Sequence, residues 1–329
     1  MALKRVAGPT LVLLLLSASV LAEDTDYFGS ETIVYIYETV GDSMQDLQRR
    51  ALPAADSKDE YKSYSGVVAK QTPQEILEES AKFLEKYEKS DLRSLVYQGM
   101  VNAAIRLNDL QLAFDIGRKA LSEYPDHMLV MTQLVTVSAN KLLYGDKAYV
   151  VDAEKYAHEV LGLVEAGKMP YGYKPDRWKA YLPTVVADMN CALGIVALYH
   201  HQDEQAAVER LSIAVQNNPY EPYAYYLLGK AQVAIYQKAN RSTKKPASSL
   251  SLQAKEQLSK IADTYAKALL LTESESYKSL RAALEYDIQS FGTSLGEKIK
   301  AELANAIELA RSNNTLLAKP PATAATPNP

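Results

Sequence analysis

The sequence contains little cysteine and histidine, and its 36 lysines and arginines are slightly outnumbered by 40 aspartates and glutamates. Cys191 is the only cysteine among 329 residues, so no disulfide bond can form within the chain and apolar burial must hold the fold together. None of the four histidines follows His201, so the C-terminal part of the chain lacks the commonest general base. The formal net charge is -4. This acidic balance disfavours a nucleic-acid-binding protein.

The clearest apolar run without charges lies at the N-terminus. Two cations, Lys4 and Arg5, precede apolar and small residues from 11 to 21, and Ala22 ends the run. This pattern predicts a secretory signal peptide over residues 1–22. The run is shorter than the roughly 20 residues that cross a bilayer, and an uncleaved anchoring helix is the alternative to cleavage. We therefore expect an exported protein, periplasmic or secreted, with no stable membrane insertion after cleavage.

Helical periodicity dominates the rest of the chain. From Thr72 to about Arg311, apolar residues recur at spacings of three and four, and prolines and glycines fall between the periodic segments. The segment from Ile33 to Val40 fits either a strand or a helix, and its apolar spacing favours a helix. A short helix containing Trp178 is expected to end near Pro183. The sequence thus predicts an all-α fold.

Two segments carry the same succession of turn residues, small residues and a final proline. The first contains Asn108-Asp109-Leu110, Ala113, Ala120-Leu121 and Pro125, and the second contains Asp203, Ala207, Ala214-Val215 and Pro219. After Pro219, an aromatic, a leucine and a glycine follow as Tyr225, Leu228 and Gly229. This pattern resembles the tetratricopeptide repeat family, in which a repeat of roughly 34 residues pairs a helix A with a helix B.

The resemblance implies a right-handed superhelical solenoid of antiparallel helix hairpins, in which each hairpin covers the apolar face of the next. The expected organisation has five parts. They are a signal peptide (1–22), a leader with one helix (23–72), the repeats (73–273, with a linker near 166–176 and a loop insertion at 238–251), capping helices (274–312) and a disordered tail (313–329).

Proteins of this family hold an extended peptide or a partner helix in a concave groove lined by helix A. The resemblance therefore implies a non-enzymatic protein-protein interaction scaffold, with a protein or peptide as partner and with no cofactor or metal. By repeat position, the groove-facing candidates are Gln98, Asn102 and Arg106, then Thr132, Thr136 and Asn140, then Tyr223, Tyr226 and Lys230.

Other interpretations of these features stay open. Each trio of groove candidates could be an ordinary solvated helix face. The tyrosine content favours the binding interpretation. The chain has 23 tyrosines but only four phenylalanines and one tryptophan, and tyrosine is common at recognition surfaces. The alternative to a scaffold that binds other proteins is a self-assembling homo-oligomer. The expected setting of the scaffold is envelope assembly or secretion.

Three motifs are typical of enzymes or metal sites but are incomplete. The Gly-x-Ser-x-Gly pattern at 292–296 lacks a preceding strand and a later histidine, so a hydrolase is disfavoured. The glycines at 162–169 lack the Ser or Thr of a phosphate-binding loop, since Met169 takes that position. His200 and His201 lack a third ligand, and adjacent rings at a helix end are expected to point apart.

Overall fold

In a computed structural model, the described residues are 35–36, 54–170, 173, 175–240, 251–295 and 297–313. The predicted signal peptide (1–22), most of the predicted loop insertion and nearly all of the predicted tail lie outside them. Within the described residues the protein is helical apart from one two-residue strand pair, which confirms the predicted all-α class. Contacts divide the chain into two compact units, and the division falls between Val196 and Ala197 in the sequence.

The N-terminal unit contains seven of the α-helices that the structure describes. They are α1 (Lys58–Val68), α2 (Pro73–Lys86), α3 (Arg93–Arg106), α4 (Leu110–Glu123), α5 (Met128–Leu143), α6 (Val150–Glu165) and α7 (Pro175–Val196). Successive helices pack as the pairs α1–α2, α3–α4 and α5–α6, and α3 also packs on α5. Helix α7 packs on both α5 and α6. The chain therefore builds this unit by adding one helical hairpin to the next.

The segment before α1 differs from the prediction. Tyr35–Ile36 forms a strand, β1, that pairs in parallel with Ala54–Ala55, β2. The prediction of a helix over Ile33 to Val40 is therefore wrong at these two residues. Helical and strand spacing cannot be told apart in so short an apolar run, and pairing with a distant segment decided the outcome.

Helix α1 was missed by the periodicity, although its start has a recognisable signature. The Ser57 hydroxyl accepts a hydrogen bond from the Glu60 backbone amide at 3.1 Å. The Glu60 carboxylate in turn accepts from the backbone amide of Asp56 at 2.6 Å. A serine followed three residues later by a glutamate is a sequence signature of a helix start, so the start of α1 could have been predicted from the sequence.

Helix α7 passes through the proline that was expected to end it. Pro183 lies inside the helix, which runs from Pro175 to Val196. A proline removes one backbone hydrogen bond at a cost of about 3 kcal/mol. The residues from Val185 to Val196 are nearly all buried, so packing of the following turns offsets that cost.

Length and composition make one described helical stretch, Pro175–His201, a candidate membrane span. Its 27 residues include a window with a mean hydropathy of 1.5, of which 67% is buried inside the protein. This degree of burial explains the apolar composition, because a helix in the core of a protein has the same composition.

The C-terminal unit begins with a π-helical turn, Ala197–His201. It continues with α8 (Glu204–Asn217), α9 (Pro222–Asn240), α10 (Leu252–Leu271), a 3-10 turn (Glu275–Tyr277), α11 (Lys278–Leu295) and α12 (Glu297–Asn313). Its core is formed by side chains that are almost fully buried, including Tyr236, Ile261, Tyr265, Leu284, Phe291, Leu303 and Ile307. Helix α10 is central, since it packs on α9, α11 and α12.

Two hairpin turns in different parts of the chain have the same local shape. Asn108 and Gln202 both have a φ of 58°, and each is followed by an aspartate that begins the next helix. Asp109 accepts a hydrogen bond from the Leu112 amide at 2.9 Å, and Asp203 accepts from the Ala206 amide at 3.0 Å. These turns coincide with the two repeated sequence segments.

Gly229 sets the distance between α9 and α10. A Cβ atom at this position would lie 2.3 Å from Cε1 of Tyr265, whose ring is 1% exposed. Atoms do not approach so closely, so the hairpin requires a residue without a side chain at 229. Gly117 plays the same part between α4 and α5, where a Cβ would meet a methyl group of Leu134 at 2.6 Å.

We expect Gly229→Ala to lower the free energy of unfolding by about 1–3 kcal/mol, the usual cost of overpacking a core. Gly162→Ala is the matched control, because a Cβ there meets nothing within 4 Å and alanine favours a helix by about 0.5–1 kcal/mol. Urea unfolding followed by circular dichroism measures both. Equal stability of the two variants would contradict the assigned role of Gly229.

Candidate functional site

The six groove candidates of the N-terminal unit are covered to different extents. Asn102 and Asn140 are partly exposed and Arg106 is exposed, whereas Gln98, Thr132 and Thr136 are 6%, 2% and 2% exposed. The threonines are buried because neighbouring helices pack around α5 on most sides. They therefore offer almost no surface to a ligand in this conformation. Thr132 instead donates its hydroxyl proton to the Met128 carbonyl at 2.9 Å.

Two amide side chains on one face of α5 have unpaired polar atoms. Gln133 is 2% exposed, and neither its Oε1 nor its Nε2 has a hydrogen-bond partner among the described residues. The Oδ1 of Asn140 is likewise buried and unpaired there. The two residues are seven apart, so they lie on the same side of the helix two turns from each other. We name Gln133 and Asn140, with Asn102 on the adjacent α3, the amide stripe.

An unpaired buried amide is unusual, because leaving such a group without a partner costs about 1–3 kcal/mol. A primary amide carries both a donor and an acceptor, which is the hydrogen-bonding pattern of a peptide group. Asn102 and Asn140, which are partly exposed, could pair with peptide groups in this way, whereas Gln133 is as enclosed as Thr132 and Thr136. Gln133 was missed by the repeat-position argument, although its spacing from Asn140 was a usable signal.

Arg106, the third candidate on α3, already has a partner. Its Nη2 donates to the backbone carbonyl of Gln71 at 3.1 Å, which ties α3 to the segment before α2. This contact gives the side chain a structural role at the edge of the unit.

In the C-terminal unit, two of the three predicted candidates meet. Tyr226 donates its hydroxyl proton to Oδ2 of Asp287 at 2.9 Å, and Lys230 lies 3.2 Å from the same oxygen. Lys230 also donates to the Tyr226 hydroxyl at 3.3 Å, and its ammonium lies 5.2 Å from the centre of that ring. The third candidate, Tyr223, is 7% exposed, and its ring centre lies 6.0 Å from that of Tyr226.

This tyrosine–lysine–aspartate cluster is electrically balanced. Burial raises the pKa of Tyr226, and the charge of Asp287 raises it further, so the phenol stays protonated. Asp287 neutralises the ammonium of Lys230, leaving no net cation to attract an anionic ligand. Asp287 was missed because 61 residues separate it from Tyr226 and no local pattern joins them. The cluster holds α9 and α11 together and fixes the Tyr226 ring.

The histidine pair differs from its prediction. The rings of His200 and His201 contact each other edge to face with centroids 4.8 Å apart, so the prediction that they point apart is wrong. The π-helical turn changes the angle between successive residues, which an α-helical projection does not anticipate. Among the described residues, no group of three histidine, cysteine or acidic side chains could hold a metal ion.

The Gly-x-Ser-x-Gly motif lies at the end of a helix. Gly292 to Leu295 belong to α11, and the Ser294 hydroxyl donates to the Phe291 carbonyl at 2.6 Å. The strand that precedes a catalytic serine of this type is replaced by helical residues.

Comparisons with known proteins add no assignment to this geometry. No protein-family model matches the chain, and no curated protein matches it with significant similarity.

A carboxylate with a shifted pKa stands at the start of α9. Oε1 of Glu221 accepts a hydrogen bond from the Tyr223 backbone amide at 3.1 Å. Burial nevertheless raises the pKa of Glu221 to about 7 from the ordinary 4.5. The protonated form is therefore favoured in the folded protein relative to the unfolded chain.

The sign of the pH effect follows from this shift. Below pH 4.5 Glu221 is protonated in both states, and between 4.5 and 7 the folded state binds more protons, so stability falls as pH rises through that window. We expect Glu221→Gln to remove this fall and to stabilise the protein near pH 7.5 by about 1 kcal/mol or more. Unfolding free energies from pH 4 to 8 measure it, with Glu209→Gln, an exposed carboxylate of α8, as control. Parallel curves for the wild type and Glu221→Gln would disprove the role of Glu221.

Proposed function

We propose that this chain is a tetratricopeptide-type scaffold that binds another polypeptide and carries out no catalysis. In this proposal the hairpins stack as a right-handed superhelical solenoid with α11 and α12 as its cap. Support comes from the successive packing of hairpins in each unit and from the matching turns at Asn108 and Gln202. The close approach at Gly229 falls at the repeat position where the family has glycine.

The observation that carries the binding proposal is the amide stripe. Gln133 and Asn140 have unpaired amide atoms on one face of α5, and Asn102 is partly exposed on α3, which packs against α5. An extended polypeptide has unpaired backbone amides and carbonyls along its length. Pairing these with the partly exposed amides of Asn102 and Asn140 would satisfy both partners at once. The ligand is therefore an extended segment that is read mainly through its backbone.

The proposed place of action is outside the cytoplasm. Support comes from the sequence of residues 1–22, with two cations, an apolar stretch and a small residue at its end. Envelope assembly or secretion is the setting that such a scaffold would serve.

The test is affinity capture by the purified chain from the envelope and medium of its own organism. We expect the wild type to capture one polypeptide, and the double variant Asn102→Ala/Asn140→Ala to lose at least about tenfold in affinity, since it deletes two hydrogen-bonding amides. Both residues are only partly buried, so the helix content should stay unchanged.

Gln74→Ala is the matched control, because it deletes an exposed amide on α2 that bonds only within its own helix. Capture that survives in the double variant would rule out the amide stripe as the binding site. Recovery of the chain alone would instead favour the homo-oligomer.

A further inference from the structure

A buried histidine lies where two hairpins of the N-terminal unit join. His127 directly precedes α5, and its side chain is 8% exposed. Its Nε2 atom lies 2.8 Å from the backbone carbonyl oxygen of Ser94, in the first turn of α3. A carbonyl oxygen only accepts hydrogen bonds, so Nε2 carries a proton and donates. The ring therefore ties the start of α5 to the start of α3, the first helices of two successive hairpins.

Further contacts hold the ring at this joint. The backbone amide of His127 donates to the Tyr124 carbonyl at 3.1 Å, and the His127 carbonyl accepts from the Met131 amide at 3.2 Å. The Tyr124 ring meets the imidazole edge to face, with centroids 6.4 Å apart. Burial raises the pKa of Tyr124, so its phenol stays neutral. The imidazole thus cannot leave the joint without disturbing the turn between α4 and α5.

This environment suits a neutral imidazole and opposes an imidazolium ion. The N–H groups at the start of a helix carry a partial positive charge, and His127 lies at the start of α5 and bonds to the first turn of α3. A buried cation also loses its hydration, which only an opposite charge or new hydrogen bonds could offset. Burial accordingly lowers the pKa of His127 below the ordinary 6.5.

The charged groups around the ring do not compensate a second proton. Among the described residues, Asp126 is the one charged side chain that acts on the imidazole, and it is exposed to water, which screens its charge. Arg93, next to Ser94 on α3, is a cation already paired with Glu123 of α4 at 3.0 Å. Helices α6 and α7 also pack on α5, but no charge on their described residues acts on the ring. A protonated ring would therefore have no buried partner.

We propose that His127 is a pH-sensitive switch, and that protonation of its ring under mildly acidic conditions loosens the packing of α3 against α5. The sign follows from the lowered pKa. Above pH 6.5 the ring is mostly neutral in the folded and the unfolded chain alike. Below pH 6.5 the unfolded chain binds more protons than the folded one, so the stability of this unit is lost as the pH falls.

The switch acts in the direction opposite to that of Glu221 in the C-terminal unit. Burial of Glu221 makes its unit more stable as the pH falls from 7 to 4.5, whereas His127 makes the N-terminal unit less stable. Asn102 lies on α3 and Asn140 on α5, so acidification would also weaken binding at the amide stripe. That consequence rests on the proposed function, whereas the switch itself does not.

The first measurement is the titration of the His127 ring in the full wild-type chain, followed by NMR. The chain has four histidines, so few ring resonances need to be assigned, and His127 is identified through its backbone. We expect its midpoint to lie below pH 6.5, because the fold disfavours the cation. A midpoint at or above pH 6.5 would overturn the proposal whatever the behaviour of any variant.

The second measurement is hydrogen–deuterium exchange of α3 and α5 at pH 7.5 and 5.5, corrected for the intrinsic pH dependence of exchange. We expect the opening constant of these helices to rise by up to about tenfold at the lower pH, since one unit of pKa corresponds to a factor of ten. Local exchange separates this response from that of Glu221.

Two variants make the exchange experiment specific. His127→Gln should lack the rise, because a glutamine amide can donate to the Ser94 carbonyl but does not titrate. His158→Gln is the matched control, an exposed histidine on α6, and should show the rise of the wild type. The pH dependence is compared within each variant, so a uniform loss of stability does not affect the result. An equal rise in wild type and His127→Gln, or no rise in the wild type, would overturn the proposal.

Discussion

The close approach of paired helices is the constraint on which the rest of this structure depends. Because the chain has one cysteine, no internal disulfide can stabilise it, and its helices must cover each other's apolar faces. At Gly229 and Gly117 the backbone of one helix meets a side chain of the next directly. Tyr265 and Leu134 thereby become fully buried, and each hairpin presents a surface that the following helix covers.

The polar side chains between helices in the described part of this protein fall into two kinds. Arg93, Tyr97 and Glu123 satisfy one another, as do Tyr226, Lys230 and Asp287, and each set joins different helices. Such networks are structural, because every charge has a partner and removing one would leave another uncompensated. The amide of Gln133 and the Oδ1 atom of Asn140 are of the other kind, since packing encloses these atoms without giving them a partner among the described residues. That difference separates a group whose hydrogen bonds hold the fold together from one whose polar atoms the fold leaves unsatisfied.

The sequence predicts the helices well wherever the evidence is local. Asp109 and Asp203 begin helices where the repeated segments placed the hairpin turns, and periodicity alone indicates the helices that follow. Prediction fails where distant contacts decide. Strand pairing overrides helical spacing at Tyr35, and packing carries α7 through Pro183. The same limit applies to the candidate site, because burial of Thr132 and Thr136 depends on helices that a single-helix projection does not include.

In the function proposed here, the position of the amide stripe would connect binding to stability. Helix α5 is buried along most of its length, so the unpaired amide of Gln133 costs free energy that the surrounding apolar contacts must offset. A polypeptide that pairs with the partly exposed amide of Asn140 on the same face would stabilise the folded N-terminal unit by a free energy that grows with the logarithm of its concentration above the dissociation constant.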